Sequence, residues 1–280
     1  MSRHDPSRLF YPITATPFQR DAFYTELPPC PALKPYIRCF WGMPEPVHTP
    51  AVDTSGPPRL VIPDACTDII FTLDYTHNSI EGIYCAMGED TFLADGDPES
   101  IVTSMFAIRF YAWTAALFAE RPLSGSKNQV FPAEVFFPSL TRELTPMLMS
   151  VSSLSERAEI AGGYLLRRLR PDRVSSTLMN AVCDIISARG TMKIADLTAS
   201  AAVSSRLLER VFDEQIGLSP KSFSSLVRYQ MLWQELCLGR GGSMLDLVEK
   251  YGYYDQAHLL NDFKKRHTMT PAQALQLARR

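Results

Sequence analysis

The side chains in this sequence whose types and spacing could do chemistry lie on two predicted helix faces. Ser205, Arg206, Glu209 and Arg210 fall opposite an apolar stripe of Leu207, Leu208, Val211 and Phe212, which recurs at three- and four-residue spacing. Further along, Gln256, His258, Asn261 and Lys264 fall opposite Leu259 and Phe263. Guanidinium, amide, imidazole and ammonium groups on such faces are suited to recognition. Catalysis finds less to work with. The chain has no Gly-rich phosphate loop, no H-E-x-x-H and no nucleophile elbow. Its six cysteines (Cys30, Cys39, Cys66, Cys85, Cys183, Cys237) form no C-x-x-C and no regular spacing. They read as buried thiols, small hydrophobic filler in strands. No cofactor and no metal is expected, and no enzyme activity.

The two faces belong to an internal repeat with an offset of 51 positions. Ile194 falls on Leu245, Leu197 on Val248, Ser204 on Asp255, Leu208 on Leu259, Phe212 on Phe263, and Ser219-Pro220 on Thr270-Pro271. Repeats of this period can be stacked solenoid units, but with two copies a tandem pair of small helical modules fits better. Each copy has a helix-turn-helix shape. In the first, Ile194 to Leu197 begin a short helix, Ala201-Ala202-Val203 make a corner, and Ser204 is an N-cap for the second helix. In the second, Gly252 can supply the positive φ that ends the first helix and Asp255 caps the next. Pro220 opens a helix between the copies, where its missing N–H costs nothing. The stretch Lys221 to Leu238 contains no Gly or Pro, which predicts a rod of about 27 Å. Two recognition helices on such a rod could enter successive major grooves, about 34 Å apart, without dimerisation.

The run I-A-D-L, S-S-R-L-L-E-R-V-F, I-G-L-S-P, the central Arg228, Y-G-Y-Y-D-Q-A-H-L, D-F-K-K and T-P resembles the AraC/XylS-type double helix-turn-helix transcription regulators. The resemblance covers Thr191 to Arg280, and the stretch Gly252 to Lys265 is close to the family signature. It implies a bacterial, sequence-specific DNA-binding regulator with a separate N-terminal domain for sensing or dimerisation. The implied partners are double-stranded DNA at a promoter or operator, RNA polymerase, a small-molecule effector and a second copy of the chain. The implied place is the cytoplasm, at the nucleoid. Where the family has Gly before the last Thr/Ser-Pro, this chain has Thr268-Met269, and Ala272 to Leu275 replace a usual Tyr-Arg.

Carried over by position, the family pattern has the first recognition helix present Arg206, Glu209 and Arg210. The second presents Gln256, His258 and Asn261. Arginine bonds guanine O6 and N7 bidentately, glutamate accepts from cytosine N4, and glutamine and asparagine suit adenine. His258 suits a base or a phosphate. Lys264, Lys265 and Arg266 are expected at phosphates, which position the protein without specifying sequence. Each of these residues also fits a plain solvated helix face, and Glu209 could equally orient Arg206 or Arg210 by an ion pair. Asn261 stands where many family members have Arg, which predicts weaker binding by the second module.

Before the repeat the pattern changes. At 280 residues the chain is long enough for two domains, with an expected division into 1–170 and 171–280 near Pro171-Asp172. Composition is that of a globular protein, 46% hydrophobic and 21% charged, with net charge −2. Residues 191–280 carry 12 Lys/Arg against 9 Asp/Glu, so phosphate attraction must come from a local face. No signal peptide and no membrane span is expected. Residues 1–30 are expected to form an irregular arm and Pro44 to Pro58 a loop. Strands are predicted at 37–41, 59–62, 68–73, 80–87 and 101–110 from β-branched and aromatic runs with Gly/Pro/Asp boundaries. A helix is predicted at 113–118, a loop at 122–138, and helices at 142–150 and 155–168. The fold class is therefore α+β: an N-terminal antiparallel barrel or sandwich with helices, then an all-α domain with two helix-turn-helix modules on a long helix.

The N-terminal part, with Trp41, I-P-D-A-C-T-D-I-I-F and A-I-R-F-Y-A-W-T-A-A-L-F, resembles sensor domains of one AraC-type subgroup. That subgroup has an Arg-Pro-Gly turn where this chain has Arg109-Phe110-Tyr111-Ala112. Candidates for an aromatic effector cavity are Trp41, Phe71, Phe106 and Tyr111, although such residues are more often plain core. The apolar face Ile160, Tyr164, Leu165 and Leu169 fits either a barrel wall or a symmetry mate. Two other functions compete with this reading. A DNA-alkyl acceptor needs an activated cysteine, and neither Cys66-Thr67-Asp68 nor Cys85-Ala86-Met87 provides one. A protein-interaction regulator with weak or lost DNA binding is the remaining alternative.

Overall fold

The computed structural model describes residues 5–17, 24–48, 59–94, 102–240 and 242–279. Among the described residues its N-terminal part holds nine strands: β1 (Thr25–Leu27), β2 (Ile37–Gly42), β3 (Val47–His48), β4 (Arg59–Val61), β5 (Cys66–Asp74), β6 (Ser79–Cys85), β7 (Phe92–Ala94), β8 (Val102–Tyr111) and β9 (Val130–Pro132). Seven form one antiparallel sheet in the order β1-β2-β8-β5-β6-β9, with β3 also on β8, and β4 pairs with β7 separately. The large sheet ends at β1 and β9, so it is open and sandwich-like, not a closed barrel.

Strand alternation decides what each sheet face does. The register Ile69↔Ile108 and Phe71↔Phe106 puts those residues, with Phe40 and Leu73, on one face. Two helices, α1 (Pro138–Met149) and α2 (Leu154–Arg168), cover it. Leu140, Leu144, Leu148, Ala161, Tyr164 and Leu165 share its core, with Ile160 and Leu169 packed at the edge. The apolar stripe of α2 thus packs on the sheet. Buried Arg157 staples α2 in place. It donates to Ser104 Oγ at 2.8 Å, to the carbonyl of Val151 at 3.1 Å and to the Tyr75 hydroxyl.

Several expectations need correction. The predicted helix at 113–118 is only a 3-10 turn, Ala115–Leu117. The predicted loop at 122–138 contains β9, a 3-10 turn at Ala133–Val135 and the start of α1. Pro138 opens that helix, since proline suits the first turn. The predicted loop from Pro44 contains β3, and residues 49–58 lie outside the described ones, as does Ile101. The arm is not free where it is described. Thr25–Leu27 pairs with β2, and residues 5–17 lie against the C-terminal helices.

The C-terminal part comprises α3 (Ser176–Ser187), α4 (Ile194–Ser200), α5 (Ser205–Ile216), α6 (Pro220–Cys237), α7 (Met244–Lys250), α8 (Gln256–His267) and α9 (Pro271–Ala278). A 3-10 turn, Pro171–Arg173, precedes it. Helix α6 runs 18 residues from its Ser219 N-cap; α5 meets it at Phe223, α8 lies along it from Ser225 to Trp233, and α7 reaches it at Glu235. Gly190 presses on it: a Cβ there would stand 2.1 Å from the Ser224 carbonyl oxygen. Arg228 stacks on the Tyr253 ring at 4.4 Å, and the Tyr253 hydroxyl donates to Asp262 at 2.7 Å, bracing α8 against α6.

One core runs through both parts. Phe10, Ala15, Ile62, Ala65, Met87, Tyr111 and Trp113 belong to the same buried cluster as Phe212, Phe223, Trp233 and Phe263. Trp113 meets Phe223 edge-on at 6.3 Å. Fully buried Gln230 of α6 receives the Ile13 N–H at 3.1 Å and donates to the Pro63 carbonyl at 2.7 Å. Trp233 donates to the Thr14 carbonyl at 2.9 Å.

Candidate nucleic-acid interface

Helix α5 begins where the Ser204 hydroxyl accepts the Leu207 N–H at 3.2 Å, satisfying one orphan donor of the first turn. Leu208, Val211, Phe212 and Ile216 are buried, so Arg206, Glu209 and Arg210 point away from the core and are exposed. They line one open surface groove of ≈ 660 Å³, with Ser204, Leu207, Asp213 and the α6 cap Ser219. The structure therefore brings the three expected residues of the first module together. Asp213 and Ser219 complete the groove without having been expected there. Asp213 lies three and four residues beyond Arg210 and Glu209, so its place on this face was readable from the helix period. Among the described residues, neither arginine stands within 4 Å of a carboxylate oxygen, that of Glu209 included.

Helix α8 is built the same way. Asp255 Oδ1 accepts the His258 N–H at 2.7 Å, and Leu259 and Phe263 are buried. Gln256, His258, Asn261, Lys264 and Lys265 are all exposed. The His258 ring stands edge-on to Tyr253 at 5.2 Å, and its Nδ1 accepts the Tyr254 N–H at 3.4 Å, which puts the proton of the neutral ring on Nε2. By the repeat, Arg210 and Asn261 occupy equivalent positions. Tyr254, just before the helix, is 91% exposed. It is not among the residues the sequence reading expects at the interface.

Arg266 does not join Lys264 and Lys265 as a surface cation. It is 4% exposed, donates to Ser225 Oγ at 2.8 Å, and sits 3.7 Å from Asp262 and 4.0 Å from Glu89. Its place follows from the helix period: Leu259, Asp262, Phe263 and Arg266 recur at i, i+3, i+4 and i+7 and share the inward face. His267 is buried beside it, stacked on Phe263 at 4.9 Å, with Nδ1 2.8 Å from the Tyr229 hydroxyl. Burial pulls its pKa down to about 4.

The four aromatic effector candidates do not line one cavity. Phe71 and Phe106 are fully buried under α1 and α2 and stack at 6.5 Å. Trp41 lies on the opposite sheet face, donating to Asp68 Oδ1 at 2.7 Å. Tyr111 stacks on Trp113 at 4.9 Å in the shared core. Around Trp41 is a polar cluster that went unread in the sequence. Arg109 bonds Asp68 at 2.9 and 3.1 Å and Asp64 at 3.4 Å. Register places Cys39 opposite Arg109, and Cys85 opposite Asp68. Burial pushes both thiols up to about 12, so they stay protonated and unreactive near neutrality. Cys30, by contrast, is exposed, and Cys85 is only half-buried, which corrects the reading of all six as buried. Among the described residues no group of His, Cys, Asp and Glu could hold a metal ion, and no helix is long and apolar enough to cross a membrane.

Comparison with known proteins places residues 197–276 in a family described as a helix-turn-helix domain. Residues 25–132 match one described as a domain of unknown function (DUF6597). No curated protein matches the chain. Similar solved structures include ToxT from Vibrio cholerae O395, at 11% identity over 78% of this chain and 90% of that one, with a TM-score of 0.39. Another is unsaturated fatty acid bound wild-type ToxT from Vibrio cholerae strain SCE256, at 8% identity over 92% and 97%, with a TM-score of 0.40. At those values the likeness carries no inference about this chain.

Proposed function

We propose, from the premise that this chain carries a C-terminal helix-turn-helix domain of the AraC type, that it is a sequence-specific DNA-binding transcription regulator using both modules at once. The observation that carries this reading is the pair of capped helices, α5 and α8, each with an exposed polar face, fixed to the single helix α6. Eighteen residues of α helix span about 27 Å, close to the spacing of successive major grooves. Arg206 and Arg210 would read guanine edges, and Glu209 a cytosine N4. Gln256 and Asn261 would read adenine, His258 a base or a phosphate, and Lys264 and Lys265 would neutralise phosphates. Arg266 is omitted from that set, because a buried guanidinium cannot reach a phosphate.

In this reading residues 1–170 are the controlling domain and residues 171–280 the DNA-binding domain. Control by a small effector requires a ligand that prefers one arrangement of the two over another. Their common core supports such coupling, since Trp113 of one packs directly on Phe223 of the other. RNA polymerase and a second copy are partners implied by the family alone, and the monomer already holds two modules.

The test is selection of bound duplexes from a random pool, for wild type, Arg210→Ala and Asn261→Ala. Wild type should enrich a site with two conserved halves. Each substitution should relax one half and cost about 1–3 kcal/mol on the wild-type site. Enrichment of a single half, or of none at low salt, contradicts the reading and leaves regulation through protein contacts.

A further inference from the structure

The C-terminal end of a helix leaves its last carbonyls without partners and carries partial negative charge. Both recognition helices end in this way, and at both the N-terminal part supplies the missing donor. In the last turn of α5 the carbonyl of Glu214 accepts the N–H of Leu123 at 2.8 Å. In the last turn of α8 the carbonyl of Arg266 accepts the hydroxyl of Thr91. Each helix then stops at a residue in the left-handed region, Gly217 at φ 79 and Thr268 at φ 62, and these two are 51 positions apart, the offset of the repeat. The two modules are thus held at corresponding ends.

The two donors sit in different loops, one between β6 and β7 and one between β8 and β9. Asn128 joins those loops. Its Oδ1 accepts the Glu89 N–H at 2.7 Å, its Nδ2 donates to Asp90 Oδ2 at 2.7 Å, and its own N–H bonds the Met87 carbonyl at 2.9 Å. Lys127, its neighbour, pairs with Glu89. The joined loops sit tightly on the helices. Fully buried Ser126 lies where a Cβ on Gly217 would come within 2.5 Å of its Oγ. On the other side Glu89 reaches Arg266 at 4.0 Å, and Met87 enters the shared core. Burial alone would raise the Glu89 carboxyl, but Lys127, Ser222 and Arg266 outweigh it and hold it below the ordinary carboxylate range.

We infer that Asn128 is a positioning residue for two-groove binding: by tying the Thr91 loop to the Leu123 loop it makes one clasp that fixes the separation and pitch of α5 and α8. This rests on the DNA-binding reading above and adds to it a named part of the N-terminal domain that touches both modules. A helix pair held rigidly at the right spacing gains from linkage, because binding of the second module becomes intramolecular at high effective concentration. Loosening the clasp lowers that gain without touching either module's own contacts.

Asn128 lies at φ 56, a conformation glycine adopts freely, so Asn128→Gly deletes the side-chain bonds without adding backbone strain. Thr91→Val is the second variant, removing the hydroxyl that reaches Arg266 at nearly constant volume. Both are measured as full-length protein on three duplexes: the selected double site, the same site with its halves moved apart by two base pairs, and a site with only the α5 half intact. Each variant should bind the double site roughly tenfold more weakly than wild type and tolerate the altered spacing better, with single-half affinity held within about twofold. An equal loss on all three duplexes marks a general structural defect and overturns the inference. So does wild-type affinity and spacing preference in both variants. If wild type itself gains nothing from the second half, the two-module reading falls, and this inference with it.

Discussion

At the scale of single residues, most of the polar groups near the modules are placed by helix period and capping chemistry, and a few by neighbours far away in sequence. Arg210 and Asn261 face out because Leu208 and Leu259 face in, which was legible from the sequence alone. Thr268 was legible only in part. The family resemblance puts glycine at that place or the next, and the structure shows why: this residue takes φ 62 as the cap of α8, where a β-branched side chain is disfavoured. His267 was not legible, because its surroundings come from Tyr229 and Trp233 on α6 as well as Phe263 on its own helix. It makes a prediction of its own. The buried ring titrates at about 4 against about 6.5 when unfolded, so the unfolded chain takes up the proton first as pH falls. Stability should be fully present above pH 6.5 and should drop by about 3 kcal/mol on going to pH 4. Denaturant unfolding across that range checks it, with His267→Phe expected to flatten the dependence. An unchanged slope in the variant would assign the loss to other groups.

At the scale of elements, the C-terminal helices followed from the sequence and the N-terminal sheet followed only in outline. Local signals suffice for the first: Ser204, Ser219, Asp255 and Thr270 each cap a helix with their own side chains, and each stands just before an apolar stripe. A strand needs a partner that sequence does not name. The core strands β5, β6 and β8 are long and rich in β-branched and aromatic residues and were readable. β3, β7 and β9 have two or three residues each and exist by virtue of their pairing. Residues 5–17 are a similar case, since their partners lie on α6. That docking can be tested through Gln230, whose amide serves the backbone of Ile13 and Pro63. Gln230→Leu keeps the volume but leaves those buried groups unpaired, and should destabilise the protein by about 3 kcal/mol. A change under about 0.5 kcal/mol in urea unfolding would mean that the arm contributes nothing to holding α6.

At the scale of the whole molecule, the sequence suggested two domains in series, and the structure shows one core reaching through both. The resemblance alone implies a sensor attached to a reader. The packing of Trp113 on Phe223, the arm on α6, and the Thr91 and Leu123 loops on α8 and α5 make the attachment physical. None of this was visible in the linear pattern, because each contact joins segments about a hundred or more residues apart through side chains that read as ordinary core or loop. The reading as a two-groove binder depends on both modules of a single chain meeting DNA together. Hydroxyl-radical footprinting on the selected site, at a protein concentration where the chain is monomeric, tests that most directly. The account predicts two protected patches on one face of the duplex, centred about ten base pairs apart, appearing together at one chain per site. A single patch, or a second patch that appears only when a second chain binds, would contradict it.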